Sequence, residues 1–152
     1  MNHLFLYPTK PPDIHDILEI EKSSFPSPWT VRMFLEELSN PLSRSFIAKR
    51  MDIGKDVLGY IFYQVVSFEM HILNIAVHPS YRDMGIGSIL LTRSLERESH
   101  LGSARYAFLE VRENNKKAIQ LYQKLGFKQI GVRKNYYVKE KINALVMGRP
   151  VG

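Results

Sequence analysis

A strand, a glycine-rich turn and a helix follow one another near the middle of the chain. The segment MHILNIAV, residues 70–77, is typical of a buried strand, and RDMGIG, residues 82–87, leads into SILLTRSLERESH, which has the apolar spacing of a helix. A strand that runs through a short turn into a helix is the building unit of α/β domains. This unit therefore predicts an α/β fold.

The other predicted elements give the order of strands and helices. FLYP is typical of a short first strand, and two helices follow, PPDIHDILEIEKSSF and VRMFLEELS, the second capped by Thr30 and ended by Asn40-Pro41. Strands at SFIAKR and VLGYIFYQVVSF, joined through the turn residues MDIGKD, precede the central unit. A strand, a helix and two strands come after it: RYAFLEV, NKKAIQLYQKL, FKQIGVRK and NALVMGR.

This order indicates a mixed sheet. Strands that first meander and later alternate with helices predict pairing that is antiparallel at the start, with at least one parallel crossover later. The predicted class is thus α/β, with a mixed sheet of α+β character. The 152 residues include no internal repeat and no linker-like stretch, so we expect one domain over residues 1–152.

Composition and charge restrict the classes of function. The chain has no cysteine, which excludes a disulfide framework and a thiol nucleophile. Four of its five histidines, at positions 3, 15, 71 and 100, form no metal-ligand spacing with acidic residues, and His78 fits a turn before Pro79 better than a base, so we expect no metal. No uncharged run approaches the ~18 residues of a membrane span, and the proline-rich start is unlike a secretory signal, which favours the cytoplasm. The net charge of +6 fits either an ordinary basic protein or one with a polyanionic partner, such as a phosphorylated cofactor or a ribonucleoprotein.

The glycine turn has the properties of a phosphate site. Glycines allow a ligand to approach the main chain, and a helix N-terminus offers free N–H groups with about half a positive charge. Arg82 would add a charged donor, which Asp83 partly offsets. The pair Gly85 and Gly87 also fits an ordinary tight turn, and Leu90 stands where a dinucleotide fingerprint needs its third glycine.

Three polar residues in the second half of the chain are candidate site residues. Glu110 lies in a strand, on the same face as Tyr106 and Phe108, whereas Asn115 begins a helix and Tyr122 faces inward from it. Each has an ordinary structural explanation: a solvent-facing carboxylate, a helix cap and a core phenol. Their joint presence behind the glycine turn is more specific than any one of them.

The segments NIAVHPSYRDMGIGSILL and FLEVRENNKKAIQLYQKLGF together resemble the GNAT acyl-CoA N-acetyltransferases, from about residue 45 to the C-terminus. The cofactor motif of that family corresponds to Arg82, Gly85 and Gly87. FPSPWT with Phe34, LEVR, AIQLYQKLGF and RKNYY are similar to the bacterial ribosomal-protein-alanine N-acetyltransferases of RimI type, although the segment after Tyr137 is shorter and more basic. The resemblance implies a GNAT fold, with about seven strands in a mixed sheet splayed at the cofactor site and about four helices.

The resemblance also implies roles for particular residues. Acetyl-CoA would be the co-substrate, with its pyrophosphate on the turn and its pantetheine arm paired with β-strand main chain. The implied cofactor-binding residues are Ile75, Ala76, Val77, Arg82, Asp83, Met84, Gly85, Ile86, Gly87, Asn115 and Tyr122. Glu110 would act as the base and Tyr122 as the proton donor to the departing thiolate. Trp29, Tyr136 and Tyr137 would line the acceptor groove, although all three could instead be ordinary core or strand residues.

The implied reaction is direct transfer of acetyl to the N-terminal amine (alanine) of a ribosomal protein. An α-amine with a pKa of ~8 is about a tenth neutral at pH 7, whereas a lysine with a pKa of ~10.4 is neutral at well under a tenth of a percent. A single carboxylate therefore suits an N-terminus better than a lysine. Two alternatives stay open: a GNAT enzyme acting on lysine or a small amine, and a non-catalytic protein that binds acyl-CoA or the ribosome. We expect a monomer or weak dimer, with no sequence-specific nucleic-acid binding and no membrane partner.

Overall fold

The computed structural model describes residues 3–52, 54 and 56–152. These residues form seven strands and four helices, close to the elements that the sequence predicts. In chain order they are β1 (Leu4–Pro8), α1 (Ile14–Ser24), α2 (Val31–Ser39), β2 (Ser43–Arg50), β3 (Gly59–Val66), β4 (Glu69–Val77), α3 (Ile86–Leu101), β5 (Tyr106–Arg112), α4 (Lys116–Lys124), β6 (Lys128–Tyr137) and β7 (Ile142–Pro150). Ile53 and Lys55 of the predicted MDIGKD turn lie outside the described residues.

Local signals in the sequence end and begin the helices where expected. The Thr30 side chain accepts a hydrogen bond from the Met33 N–H at 3.2 Å and so caps α2. Gly102 and Gly126 follow α3 and α4 with φ of +67° and +90°, the left-handed conformation in which helices commonly end. The strand β6 runs to Tyr137, three residues further than predicted, because it pairs with β7 in a long hairpin.

The strands form one mixed sheet in the order β1-β2-β3-β4-β5-β7-β6. Neighbouring strands are antiparallel except for β4 and β5, which are parallel and are connected through α3. The predicted class and the predicted late parallel crossover are confirmed.

Each face of the sheet supports its own core. On one face Ile17 of α1 and Phe34 of α2 pack in a cluster with Tyr60. On the other face Leu90 of α3 and Tyr122 of α4 belong to a cluster that includes the other side of β3 and the buried residues of β5. The helices α1 and α2 therefore cover one face, and α3 and α4 cover the other.

The sheet splits between its two parallel strands. β4 pairs with β5 only over Glu69–Ile72 and Tyr106–Leu109, although both strands continue further. At the same point β4 contains a bulge, because Phe62 of β3 lies opposite Asn74 whereas Tyr63 lies opposite Ile72. The extra residue is Leu73. A bulge bends its strand and increases the local twist, and here it coincides with the divergence of β4 from β5.

None of the helices in the described part of the chain is long and apolar enough to span a membrane. The same residues hold no cluster of three or more potential metal-ligating side chains.

Candidate active site

The split in the sheet opens a cleft of about 700 Å³ that is lined from both faces. Leu73 and Glu110 come from its two diverging strands. Tyr122 of α4 lines it from one face, and Trp29 of the α1–α2 connection lines it from the other. The cleft therefore passes through the sheet, so that two ligands can approach the same gap from opposite sides.

The main chain of β4 is available along one wall of this gap. The N–H of His78, which follows β4, donates at 2.7 Å to the carbonyl of Leu58, the residue before β3. Hydrogen-bonded pairs alternate along an antiparallel ladder, so Ala76 also bonds toward β3. The N–H and C=O groups of Ile75 and Val77 consequently point away from β3, toward the gap.

The glycine turn places free main-chain donors beside the same strand. Gly85 precedes α3 with φ of +83°, and no side chain of the described residues caps the helix there. The first intrahelical bond runs from the Ile89 N–H to the Gly85 carbonyl at 3.0 Å, which leaves the N–H groups of residues 86–88 free of helical partners. This end of α3 can therefore bind an anion through its amides and its dipole.

The charged residues of the turn are held by other side chains. Asp83 forms an ion pair with Lys117 Nζ at 2.6 Å, so its charge opposes a bound anion less than the sequence alone suggests. The Arg82 guanidinium donates to the Val77 carbonyl at 3.1 Å and to Ser24 Oγ at 2.8 Å. Arg82 thus connects the turn to β4 and to α1. The side chain of Met84, in the same turn, is exposed.

The second helix N-terminus at the cleft differs from the first. The Asn115 side chain accepts a hydrogen bond from the Ala118 N–H at 3.2 Å, which makes it the cap of α4. Asn115 also lines the cleft, so the ordinary structural role and a ligand contact are compatible.

Glu110 projects into the cleft from the face of β5 that carries Tyr106 and Phe108. Its carboxylate accepts a hydrogen bond from Arg133 Nη1 at 2.6 Å, and the Glu110 side chain remains 30% exposed. Tyr136 lies on β6 with Arg133, close to Glu110. Burial and, to a smaller extent, the Glu110 carboxylate raise the pKa of the Tyr136 phenol. The sequence did not indicate Arg133 as a site residue, because nothing in the pattern of β6 shows that its partner is Glu110.

Tyr122 reaches the cleft from the opposite face. It is 8% exposed, and its ring lies 6.0 Å from that of Phe127. Burial, with a smaller contribution from the nearby Tyr137 phenol, raises the pKa of Tyr122 to about 12. The phenol therefore keeps its proton at neutral pH and can act as a donor.

Aromatic side chains form the far walls on the face of α1 and α2. Trp29 packs on Phe34 with ring centroids 5.1 Å apart while also lining the cleft, so it is both a core contact and a wall residue. Tyr136 and Tyr137 of β6 also line the cleft, and the Arg112 guanidinium lies 3.9 Å from the centroid of the Tyr137 ring.

Two further polar residues of the cleft, Glu21 and Asn74, were also missed. Both are buried and hydrogen-bonded to each other at 2.8 Å. A signal for them exists in the sequence, because Glu21 continues the inner stripe of Ile14 and Ile17 on α1, and Asn74 interrupts an otherwise apolar stretch of β4.

These features define a class of enzyme. A strand edge with free amide groups suits the amide-bearing arm of coenzyme A, the amides of α3 suit its pyrophosphate, and a carboxylate and a phenol reach the gap where the thioester would lie. Within the protein there is room for a side chain at Gly87, because a Cβ there would meet Val77 Cγ2 at 3.6 Å and Leu121 Cδ2 at 3.8 Å, which are ordinary contacts. Fold and site together are those of an acyl-CoA-dependent acyltransferase.

Comparison with known proteins gives the family. The Acetyltransferase (GNAT) family matches residues 14–127. A Bacillus subtilis protein provisionally named a ribosomal protein bS18-alanine N-acetyltransferase is 38% identical over 138 residues, 89% of this chain and 87% of that protein. An N-alpha-acetyltransferase of Sulfurisphaera tokodaii is 30% identical over 151 residues, 91% of this chain and 88% of that protein.

A solved structure agrees with these relatives. The ribosomal-protein-S18-alanine N-acetyltransferase of Escherichia coli superposes with a TM-score of 0.88 at 27% identity, covering 98% of this chain and 94% of that one. The chain belongs to the GNAT acetyltransferase family. It is accordingly an acetyltransferase that uses acetyl-CoA, and the family, fold and co-substrate expected from the sequence are confirmed.

Proposed function

We propose that this enzyme transfers acetyl from acetyl-CoA to the N-terminal α-amine of a ribosomal protein that begins with alanine. The observation that carries the proposal is the cleft through the sheet, which has aromatic side chains in its lining and, beside β4, a helix start with free main-chain N–H groups. Two of the relatives and structures described above are named for this activity on protein bS18. The acceptor is thus a protein made in the cytoplasm, where we also expect the enzyme.

The acetyl donor supplies a thioester, whose carbonyl carbon is open to attack by an amine. The first task of the protein is to bind this donor. The N–H groups at the start of α3 bind its pyrophosphate, and the Arg82 guanidinium adds positive charge beside them while it holds the turn to β4 and α1. The main-chain groups of Ile75 pair with its pantetheine arm as another strand would. The Val77 carbonyl is bonded to Arg82, and the Val77 N–H stabilises negative charge on the thioester carbonyl oxygen.

The second task is proton transfer at the gap. Glu110 accepts a proton from the acceptor amine, directly or through water, as the new C–N bond forms. The C–S bond breaks, and Tyr122 donates its proton to the departing thiolate. A phenol with a pKa of about 12 stays protonated until a thiolate, with an ordinary pKa of ~8.5, begins to form. Transfer between the two substrates is direct, with no acetylated enzyme side chain.

The class of acceptor amine follows from the groups that the site offers for deprotonating it. One carboxylate reaches the gap from β5, and it is already bonded to Arg133. An α-amine requires little help at neutral pH, whereas a lysine needs roughly 3 kcal/mol more for deprotonation. This difference favours an N-terminal amine as the acceptor.

A matched pair of peptides tests the proposal. One begins with a free alanine and contains no lysine; the other has the same sequence with a blocked N-terminus and an added lysine. We expect intact-mass analysis after incubation with acetyl-CoA to find one acetyl group on the first peptide alone. Acetylation of the blocked peptide alone would contradict N-terminal specificity. The variant Glu110→Gln, treated identically, controls for a contaminating activity.

A broader N-terminal specificity is the second candidate, because the S. tokodaii relative is named only as an N-alpha-acetyltransferase. Adding peptides that begin with serine or methionine separates the two. Equal kcat/KM for all three first residues would favour the broader activity, and a marked preference for alanine would favour the ribosomal acceptor.

A further inference from the structure

A buried carboxylate on the acceptor side of the cleft takes no part in the chemistry above. Glu21 is 1% exposed and lines the cleft. Its Oε1 accepts hydrogen bonds from the Tyr60 hydroxyl and from Asn74 Nδ2, the second at 2.8 Å. Its Oε2 accepts from the main-chain N–H of Trp29, also at 2.8 Å. All three donors are neutral, and within the described ranges no cationic side chain forms an ion pair with Glu21.

These bonds join segments that are distant in the sequence. They connect α1 with β3, with β4 and with the α1–α2 connection, over separations of 39, 53 and 8 residues. Asn74 directly follows the bulge at Leu73, where β4 leaves β5. One carboxylate therefore links the beginning of the gap to the Trp29 wall.

The segment that carries Trp29 makes few main-chain hydrogen bonds. Pro26 and Pro28 have no N–H to donate. Among the hydrogen bonds of the described residues, the Trp29 N–H to Glu21 is the one main-chain bond made by residues 26–29. The side chain of Ser27 adds only a long contact, 3.4 Å, with Glu140. Packing of the Trp29 ring on Phe34 does not by itself fix the main chain.

We propose that Glu21 is a positioning residue for the acceptor, an inference that rests on the proposed function. Its carboxylate holds the main chain of Trp29 at a fixed place relative to Asn74, and this sets the shape of the acceptor side of the cleft. A carboxylate is suited to the task because both of its oxygens accept hydrogen bonds at once, from donors on two sides. Loss of the carboxylate frees the wall while the coenzyme side, held by the β3–β4 ladder, keeps its structure.

The opposite face of the sheet provides a matched control. Glu98 of α3 is 0% exposed and accepts hydrogen bonds from the Tyr63 hydroxyl at 2.6 Å and from Ser103 Oγ at 2.6 Å. It also forms an ion pair with Arg97. Glu21 with Tyr60 and Glu98 with Tyr63 are thus two buried carboxylate–phenol pairs whose phenols both belong to β3, and of the two carboxylates only Glu21 lines the cleft.

The test compares Glu21→Leu, Glu21→Gln and Tyr60→Phe with Glu98→Leu, Glu98→Gln and Tyr63→Phe. Steady-state kinetics are measured with the alanine peptide and with acetyl-CoA. We expect Glu21→Leu to raise the KM for the peptide about tenfold and the KM for acetyl-CoA less than about twofold, because only acceptor binding is lost. The Glu98 and Tyr63 variants should leave both KM values within about twofold of wild type.

The conservative variants give a graded result. In Glu21→Gln the amide oxygen can still accept from the Trp29 N–H, while its NH₂ donates to Asn74 after that side chain turns. We therefore expect Gln to restore the peptide KM to within about threefold of wild type. Tyr60→Phe removes one of the three bonds without changing the volume, and it should raise the peptide KM by about threefold, which keeps the test informative if Glu21→Leu does not fold.

Fluorescence supplies a readout that does not depend on turnover. Trp29 is the only tryptophan of the chain, so acrylamide quenching reports on this wall alone. We expect stronger quenching in Glu21→Leu, or in Tyr60→Phe, than in wild type, and unchanged quenching in the Glu98 variants.

Three results would overturn the proposal: an unchanged peptide KM in the Glu21 and Tyr60 variants, an equal rise in the Glu98 variants, or an equal rise for acetyl-CoA. If wild type acetylates no peptide, the proposed function itself fails. The positioning of Trp29 is then judged by quenching, and equal quenching in wild type and variants rejects it.

Discussion

The parallel strands β4 and β5 have a paired end and an open end that differ in their main-chain bonding. At the paired end, Glu69–Ile72 bonds to Tyr106–Leu109, and the main-chain groups between the strands satisfy one another. His71 stacks on Phe108 with ring centroids 5.4 Å apart. This end behaves as ordinary sheet.

At the open end the same two strands no longer bond to each other. The main chain of Ile75 and Val77 faces the gap, and the polar side chains of Asn74 and Glu110 gather around it. Each ladder bond that is not made forgoes roughly 0.5–1.5 kcal/mol of stability. The unpaired main-chain groups lie beside the glycine turn, where a ligand can form the missing hydrogen bonds.

The gap begins where the register between β3 and β4 shifts. One extra residue, Leu73, separates a stretch of β4 that completes the sheet from a stretch that can bind a ligand. Substitutions at the open end should therefore change kinetics, and similar substitutions away from it should change stability alone.

The largest effect is expected for Glu110→Gln at the open end. Removing a general base lowers kcat by about 100-fold or more, while the Kd for acetyl-CoA should change little because Glu110 faces the acceptor side. The comparison is Glu69→Gln at the paired end of the same face, which we expect to keep kcat within about threefold. Rapid-quench and steady-state rates measure both, and equal losses in the two variants would remove the distinction between the ends.

The next effect is expected for Tyr122→Phe, which should lower kcat about 10- to 100-fold without weakening acetyl-CoA binding. The raised pKa of about 12 means that the donor stays protonated below that pH and is lost only above it. The wild-type kcat should consequently show no decline from Tyr122 ionisation between about pH 8 and about pH 10. If kcat declines in that range for wild type but not for Tyr122→Phe, the pKa of Tyr122 is lower than about 12, and the proposed effect of burial on it is wrong.

A smaller effect is expected for Gly85→Ala, where alanine must adopt a φ of +83°. The substitution should lower the free energy of unfolding by about 1 kcal/mol and raise the Kd for acetyl-CoA about fivefold, since the strained turn relaxes away from its anion-binding geometry. Gly102→Ala, at the other end of α3 with φ of +67°, imposes the same strain far from the gap. Urea unfolding should find both variants destabilised, and calorimetry should find binding weakened in the first alone.

The smallest effect is expected for Gly87→Ala. The added Cβ meets only ordinary contacts with Val77 and Leu121. Binding of acetyl-CoA should stay within about threefold, and the helix should gain up to about 1 kcal/mol from the better propensity of alanine. A larger loss of affinity, measured beside Gly85→Ala, would indicate that the ligand approaches the main chain more closely than the turn geometry requires.

Much of the fold could be predicted because its signals are local. Thr30 caps α2 through an N–H three residues away, and Gly102 and Gly126 follow their helices in the conformation that glycine favours. Tyr122 was expected to face inward from its spacing alone, and it is buried. These outcomes depend on residues within one or two helical turns of each other.

The partners of the site residues could not be predicted in the same way. Arg133 bonds to Glu110 across 23 residues, and Glu21 bonds to Asn74 across 53. The sequence marks such residues as charged or polar but gives no measure of distance between them. Only packing of the two faces of the sheet brings them together.

Local signals in the sequence were enough to predict the order of strands and helices and the glycine turn, because periodicity, caps and backbone preference act over a few residues. The family was indicated separately, by the resemblance of two sequence segments to its motifs. Tertiary structure alone decided where β4 leaves β5 and which carboxylate supports which wall. Those outcomes depend on the pairing of strands that are remote in the chain, and a change of one residue in register would exchange the faces on which their side chains lie.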